Sequence, residues 1–150
     1  MTDIKGFFQP FAPHPYVSVA VKVDLLGIDW TVVDVLIDTG ADVTAIHAAD
    51  ALTRLGLSKA HLSPDGWPPL ERDSYLGIGG DIQYRRVPAA YRFRRADGSS
   101  QEIRGDLRLG EYREDFEDLP SLLGLDLLKH FCLTLDGPAG VVTLGASRSS

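Results

Sequence analysis

A strictly alternating stretch near the N-terminus constrains the fold of this chain more than any other feature. From Val17 to Leu25, every odd position is apolar. Alternate side chains share one face of a strand, so this stretch is predicted to be a strand with one buried face. A second extended run, Ile28–Ile37, follows Gly27, and the two runs are predicted to form a hairpin. The second run ends in three apolar residues, 35–37, which indicates burial on both faces there.

The rest of the chain predicts an all-β fold, mainly β with one or two short helices. Further extended segments lie at residues 72–76, 82–87, 91–94, 103–109, 131–136 and 141–144. Helical spacing is confined to residues 48–55, where Gly56 suits the position after the helix, and to a shorter segment at 125–130. Residues 58–70 are rich in proline and glycine and are predicted to be a loop.

The predicted domain organisation is simple. Residues 1–16, which contain three prolines, are expected to be an irregular N-terminal arm, residues 17–145 the folded domain, and residues 146–150 a C-terminal tail. A chain of 150 residues has the length of one domain.

Charge and cysteine content exclude several classes of function. The formal net charge is −6 and would repel a phosphate backbone, so nucleic acid is not an expected partner. The single cysteine, Cys132, excludes an internal disulfide and a cysteine-based zinc cluster. It lies in an apolar run and is expected to be a small buried side chain. No run of about 18 apolar residues is present, so no membrane span is expected, and the predicted location is the cytoplasm.

The first candidate for chemistry is Asp38-Thr39-Gly40-Ala41, placed directly after the buried strand. A carboxylate at the end of a buried strand is costly unless hydrogen bonds satisfy it. The threonine hydroxyl, the backbone N–H groups and the permissive glycine can supply such a loop. A strand-ending turn without chemistry is the alternative, because Asp-x-Gly is a common turn pattern.

Two further motifs follow in order along the chain. Gly77-Ile78-Gly79-Gly80 lies between two extended arms, which is typical of a mobile flap. Leu122-Leu123-Gly124 precedes the second short helix. With Asp38-Thr39-Gly40-Ala41, these motifs resemble those of the retropepsin-like aspartic proteases, the single-lobed relatives of pepsin and of the retroviral proteases. The resemblance spans roughly residues 17–145 and implies an acid-protease half-barrel that homodimerisation closes.

The resemblance assigns a role to each matching residue. Asp38 matches the catalytic aspartate, and Thr39 matches the residue whose hydroxyl reaches the loop of the partner subunit. Gly40 and Ala41 match residues beside the bound substrate, and Asp42 matches a position that holds the substrate main chain in retroviral members. Residues 77–80, comprising Gly77, Ile78, Gly79 and Gly80, match the flap that closes over the peptide.

The chain also departs from the retroviral pattern. Leu125-Asp126 follows Gly124 where retroviral members have an arginine that braces the active-site loop, so the role of Asp42 stays open. Asp126 could instead cap its short helix. The C-terminus is a predicted hairpin rather than a single terminal strand, so the contacts between subunits must differ in detail.

The implied chemistry needs two chains. Hydrolysis by this route uses two carboxylates that share one proton across a water molecule, and this sequence has only one Asp-Thr-Gly. The prediction is therefore an aspartic endopeptidase that acts on peptide or protein substrates as a homodimer, with neither a cofactor nor a metal. The alternative is a retropepsin-like module that dimerises and binds peptides with little or no turnover.

One histidine near the first helix has a less specific interpretation. His47 and Asp50 are three residues apart. They are expected to be a surface pair rather than metal ligands.

Overall fold

The protein has a mainly β fold, as the sequence predicts. The computed structural model describes residues 3–10, 12–77 and 80–146. The strands are β1 (Ile4–Lys5), β2 (Phe7–Gln9), β3 (Ala12–Val23), β4 (Ile28–Ile37), β5 (Ala45–Ile46), β6 (Arg72–Gly77), β7 (Gly80–Arg94), β8 (Ser100–Gly110), β9 (Leu122–Leu123), β10 (Phe131–Asp136) and β11 (Val141–Ala146). The helices are α1 (Ala48–Thr53) and α2 (Leu125–Leu128).

The larger sheet contains eight strands in the order β2-β3-β4-β9-β5-β8-β7-β6. In addition, β3 pairs with β7 through the register Ala20↔Arg92, so the sheet curls back on itself. The inner surface of this curl carries the main hydrophobic core, to which β3, β4, β7 and β8 all contribute buried side chains. The acid-protease half-barrel that the family resemblance implies stays a prediction.

The predicted hairpin of the first two long runs is confirmed. β3 and β4 are antiparallel with the register Val19↔Val33, and all four valines at the odd positions 17–23 are buried. The alternation therefore set the inward face of β3, as expected for a strand with one solvated side. Burial on both faces at the end of β4 holds only in part, because Leu36 is partly exposed.

The N-terminal arm is not irregular, which corrects the prediction for residues 4–5, 7–9 and 12–16. Ile4 is buried and pairs with Leu144, because the C-terminal hairpin offers β1 a strand edge. The prolines at 13 and 15 lie in the part of β3 that pairs only with the edge strand β2. A strand paired on one side alone tolerates the missing proline N–H.

The C-terminal hairpin is confirmed and belongs to a smaller sheet. β10 and β11 are antiparallel, and the sheet has the order β1-β11-β10. Cys132 lies on β10 and is only partly buried, so the expectation of a buried side chain holds in part. Since β10 is at the end of this order, one of its edges is unpaired among the described residues.

The helical segments are short. α1 ends two residues before the predicted boundary, and Gly56 has the positive φ of 70° that a residue after a helix often adopts. The predicted loop at 58–70 holds single-turn 3-10 helices at Lys59–Leu62, Pro64–Gly66 and Pro69–Glu71. Two other 3-10 turns lie at Asp24–Leu26 and Glu114–Phe116. Among the described residues, no helix has the length and apolar character needed to cross a membrane.

Candidate active site around Asp38

The strand order places Asp38 at the point where three strands meet. β4 ends at Ile37 and pairs in parallel with β9, with Ile37 opposite Leu123. β9 in turn pairs antiparallel with β5, with Leu122 opposite Ala45. The chain from β4 to β5 must therefore pass over β9. Asp38 begins this connection, and its N–H donates to the Leu123 carbonyl at 3.0 Å.

The connecting loop folds tightly around the Asp38 carboxylate. The Gly40 N–H donates to Asp38 Oδ1 at 2.9 Å, and the Ala41 N–H donates to the Asp38 carbonyl at 3.2 Å. Asp38 is half-buried, whereas Thr39 and Gly40 are exposed. Within the described part of the chain, Oδ2 of Asp38 has no hydrogen-bond partner. The loop thus fixes one carboxylate oxygen and leaves the other available to a ligand.

A second set of contacts fastens this loop to the segment after β9. The Thr44 N–H and hydroxyl donate to the two carboxylate oxygens of Asp126 at 3.0 and 2.7 Å. The Thr44 hydroxyl also accepts from the Gly124 N–H at 3.1 Å. Backbone bonds from Leu125 N–H to the Ala41 carbonyl, at 2.8 Å, and from Asp126 N–H to the Asp42 carbonyl, at 3.2 Å, complete the attachment.

These contacts give Asp126 a different role from the predicted helix cap. The residue in the N-cap position of α2 is Gly124, and no side chain caps the helix there. Asp126 lies inside the first turn, where its Oδ1 also accepts from the Leu127 N–H at 2.9 Å. Its carboxylate braces the Asp38 loop through Thr44. Motif reasoning missed Thr44, although its hydroxyl in an otherwise apolar run, Val43 to Ile46, was the available signal.

The hydrogen bonds that the Asp126 carboxylate accepts predict that Asp126→Asn destabilises the fold. An amide must place an NH₂ donor where the wild-type side chain accepts from Thr44 or Leu127. One buried donor then loses its acceptor, at a cost of about 1–3 kcal/mol in the free energy of unfolding. Urea unfolding measures the change, with Asp115→Asn on an exposed turn as the matched control. Equal unfolding midpoints for the two variants would contradict the brace.

Of the predicted substrate-binding residues, Ala41 and Asp42 lie on this loop, and Gly77 and Gly80 lie on the hairpin of β6 and β7, the flap hairpin. Asp42 is exposed, and its carboxylate makes no hydrogen bond to the described residues. β6 and β7 form an antiparallel hairpin in which Gly77 pairs with Gly80. Ile78 and Gly79, the middle of the predicted flap tip 77–80, lie outside the described residues.

The base of the flap hairpin packs next to the Asp38 loop. Ile82 and Tyr84 of β7 belong to a small apolar cluster with Ala45 and Phe116, against which Tyr75 of β6 also packs. Ala45 directly follows the loop that begins at Asp38 and ends at Thr44. The cluster therefore connects the hairpin to the strand that the Asp38 loop enters.

His47 is buried, which shows that the predicted surface pair with Asp50 is wrong. Only 5% of its surface is exposed, because it follows β5 into the interior. Its Nδ1 lies 2.6 Å from the Pro120 carbonyl and its Nε2 lies 2.8 Å from the Tyr84 hydroxyl. The link to Asp50 passes through Ser121, whose hydroxyl donates to Asp50 Oδ2 at 2.6 Å and accepts from the His47 N–H at 3.1 Å. The apolar neighbours on both sides of His47 were the sequence signal for burial.

Comparisons with known proteins supply no further assignment. No model of a known protein family matches the chain, and no curated protein matches it either. Among the described residues, no group of three or more histidine, cysteine, aspartate or glutamate side chains could hold a metal ion.

Proposed function

We propose that this protein is an aspartic endopeptidase that acts as a two-fold homodimer on extended peptide segments. The observation that carries the proposal is the loop at Asp38. A half-buried carboxylate there has one oxygen fixed by the Gly40 N–H at 2.9 Å, and the loop is fastened through Thr44 to Asp126. A rigid frame that presents one free carboxylate oxygen suits a group that must hold a water molecule in a fixed position.

The proposed reaction uses both copies of Asp38. One ionised carboxylate takes a proton from water while the water oxygen attacks the carbonyl carbon of the scissile peptide. The other, protonated carboxyl gives its proton to the carbonyl oxygen, which yields a tetrahedral diol. The C–N bond then breaks as the carboxyl that now holds the proton gives it to the nitrogen, while the ionised carboxylate takes a proton from a diol hydroxyl. The products are a carboxyl group and an amine. The two carboxyls end the cycle with one proton between them, as they began it.

A second copy of the chain is required because one copy contributes a single Asp-Thr-Gly sequence. A two-fold axis between the two Asp38 loops gives each chain an identical half of the site. One edge of β10 has no strand partner among the described residues, and backbone N–H and C=O groups on such an edge support self-association. Leu135 on this strand is 56% exposed and adds apolar surface.

The flap hairpin supports an extended substrate. A peptide that lies between β6–β7 and the Asp38 loop can pair with the hairpin through main-chain hydrogen bonds.

We place the enzyme in the cytoplasm as part of the proposal, on the basis of a sequence with a single cysteine. Fractionation of expressing cells tests that location.

A fluorogenic peptide library, assayed from about pH 3 to pH 7 with and without a statine-type inhibitor, tests the proposed chemistry. Cleavage that the inhibitor blocks is the expected result, because a statine hydroxyl occupies the position of the attacking water. No cleavage at any pH would instead favour a dimeric module that binds peptides without hydrolysing them.

Dilution tests the shared site. The activity per chain is expected to fall in proportion to chain concentration once the protein is diluted well below the dimer dissociation constant, since only the dimer holds a complete site. Analytical ultracentrifugation over the same concentration range measures the dimer fraction. Constant activity per chain in samples that sediment as monomers would rule out the two-chain mechanism.

A further inference from the structure

The hydrogen bonds around His47 define which of its nitrogens carries the proton. The Pro120 carbonyl can only accept, so Nδ1, at 2.6 Å from it, must be the donor. In the neutral imidazole Nε2 is then an acceptor, and the Tyr84 hydroxyl donates to it at 2.8 Å. His47 is the one hydrogen-bond partner that the described part of the chain gives to this hydroxyl. The arrangement is complete only while His47 is neutral.

Protonation removes this match. A protonated His47 carries a hydrogen on Nε2, which faces the hydroxyl of Tyr84. The hydroxyl must then turn its own proton away from the only partner that the described residues give it. Tyr84 is buried, so the loss of this acceptor destabilises the present position of its side chain on β7. Protonation of His47 therefore acts on the strand that forms one arm of the flap hairpin.

On its other side, the same histidine contacts the segment before β9 that holds the Asp38 loop in place. Pro120 and Ser121, which bond to the Nδ1 and the backbone N–H of His47, immediately precede β9. The Ser121 carbonyl accepts from the Leu36 N–H at 2.8 Å, two residues before Asp38. His47 thus lies between β7, on the flap side, and the segment that sets the position of the catalytic loop.

We propose that His47 is a positioning residue: in its neutral form it fixes the base of the β6–β7 hairpin to the frame of the Asp38 loop, and its protonation releases that base. This inference rests on the proposed proteolytic function, because the hairpin matters for turnover only if it closes over a peptide. The expected consequence is a rise in KM on the acid side, since a loosened flap must be ordered again by each substrate.

The charged and titratable groups around His47 and Tyr84 come from α1, β6 and the segment after β8. Asp50 of α1 reaches His47 through Ser121, and Tyr75 of β6 packs edge-on to the Tyr84 ring with centroids 5.7 Å apart. Glu111 follows β8, where its Oε1 accepts from the Gln83 N–H at 3.3 Å. Arg113 lies 3.5 Å from that same carboxylate oxygen.

Burial affects the pKa values of His47 and Tyr84 more than these charges do. It lowers the pKa of the His47 imidazole below the ordinary 6.5, against the opposing effects of the Pro120 hydrogen bond and of Asp50. Burial, with Glu111 as a lesser cause, raises the pKa of the Tyr84 phenol to about 12, so Tyr84 keeps its proton throughout the acid range. His47 is therefore the group of this pair that titrates on acidification.

Two variants and two controls test the proposal. His47→Gln removes the titrating group, and Tyr84→Phe removes the hydroxyl but keeps the ring. His14→Gln, at an exposed histidine of β3, and Tyr112→Phe, at a tyrosine whose hydroxyl makes no hydrogen bond to the described residues, are the matched controls. Each is assayed for KM, kcat and thermal unfolding as the full-length dimer.

At neutral pH, Tyr84→Phe is expected to raise KM about 3- to 10-fold with a smaller change in kcat, the size of effect that one buried hydrogen bond produces. As the pH falls through the lowered pKa of His47, KM of the wild type and of His14→Gln is expected to rise, whereas KM of His47→Gln stays level. A lower unfolding temperature with unchanged KM in Tyr84→Phe would overturn the proposal, because it indicates a structural role alone.

Loss of stability on acidification does not distinguish a positioning role of His47 from a purely structural one. The unfolded histidine takes up its proton near pH 6.5, whereas the folded one does so only at lower pH. The stability due to neutral His47 is therefore present above pH 6.5 and lost as the pH falls through the lower, folded-state pKa, whichever role holds. The KM profile is the deciding readout.

Amide hydrogen exchange separates failure of this inference from failure of the proposed function. If the wild type cleaves no peptide, the proposed function fails. Exchange at residues 82–87 of β7 then tests by itself whether protonation of His47 loosens this strand. Protection there, corrected for the intrinsic pH dependence of exchange, is expected to fall on acidification in the wild type and in His14→Gln but not in His47→Gln. Equal protection in all three proteins would overturn the coupling.

Discussion

Asp38→Asn is expected to lower peptide cleavage by about 10³-fold or more while the fold and the dimer remain intact. An asparagine cannot take a proton from water at neutral or acidic pH, so both halves of the proposed site lose the base. The structural contact survives, because the amide oxygen can still accept from the Gly40 N–H where Oδ1 now does so at 2.9 Å. Initial rates on the best library peptide measure the loss.

The control for this variant is an aspartate four residues earlier in the chain, on β4. Asp34 is exposed on β4 and accepts from the Ser18 hydroxyl at 2.5 Å. Asp34→Asn removes the same charge and is expected to leave the rate within a factor of about two, since surface substitutions change little. Sedimentation and thermal unfolding of both variants verify assembly and folding. Residual cleavage by Asp38→Asn near the wild-type rate would exclude the proposed chemistry.

Gly124→Ala is expected to lower the free energy of unfolding by about 3 kcal/mol and to remove activity with it. A Cβ at this position would lie 2.5 Å from the carbonyl carbon and oxygen of Val43 and 2.9 Å from the Ala41 oxygen. These are backbone atoms, so no side-chain rotation relieves the clash. The Asp38 loop must move away, and it then loses its bonds to Leu125 and Asp126.

Gly105→Ala provides the matched control. Gly105 lies on β8, and a Cβ built there meets no atom within 4 Å. The free energy of unfolding of Gly105→Ala is expected to stay unchanged or to rise by up to about 1 kcal/mol, because alanine restricts the unfolded chain. Urea unfolding compares the two variants. If Gly124→Ala unfolds at the same midpoint as Gly105→Ala, the close approach of the loop to Gly124 does not stabilise the fold.

Strand content and the position of the first hairpin could be predicted from the sequence because both depend on local pattern. The alternation from Val17 to Val23 has period two, and one buried face of β3 follows directly. The N-terminal segment could not be predicted in the same way. β1 forms because β11, about 140 residues later in the chain, offers it an edge. β2 pairs locally with β3, but its three residues are too few to show a period of two.

The residues of the candidate site also differ in whether the sequence predicts them. Asp38 and Gly124 carry motif signals, since a carboxylate and a glycine stand out beside apolar strands. Thr44 and His47 carry only the burial signal of their apolar neighbours, and nothing in the sequence spacing links Thr44 to Asp126. Thr44 and Asp126 are 82 residues apart, and only the insertion of β9 between β4 and β5 brings the hydroxyl and the carboxylate together.

By itself, the sequence determined the mainly β class, the β3–β4 hairpin, and the carboxylate at the end of a buried strand, because each follows from the order of neighbouring residues. The tertiary structure decided what holds that carboxylate in place and which buried histidine lies between its frame and the flap hairpin. Those contacts join segments far apart in the chain, and their distances exist only after the sheet has curled and the strands have taken their order.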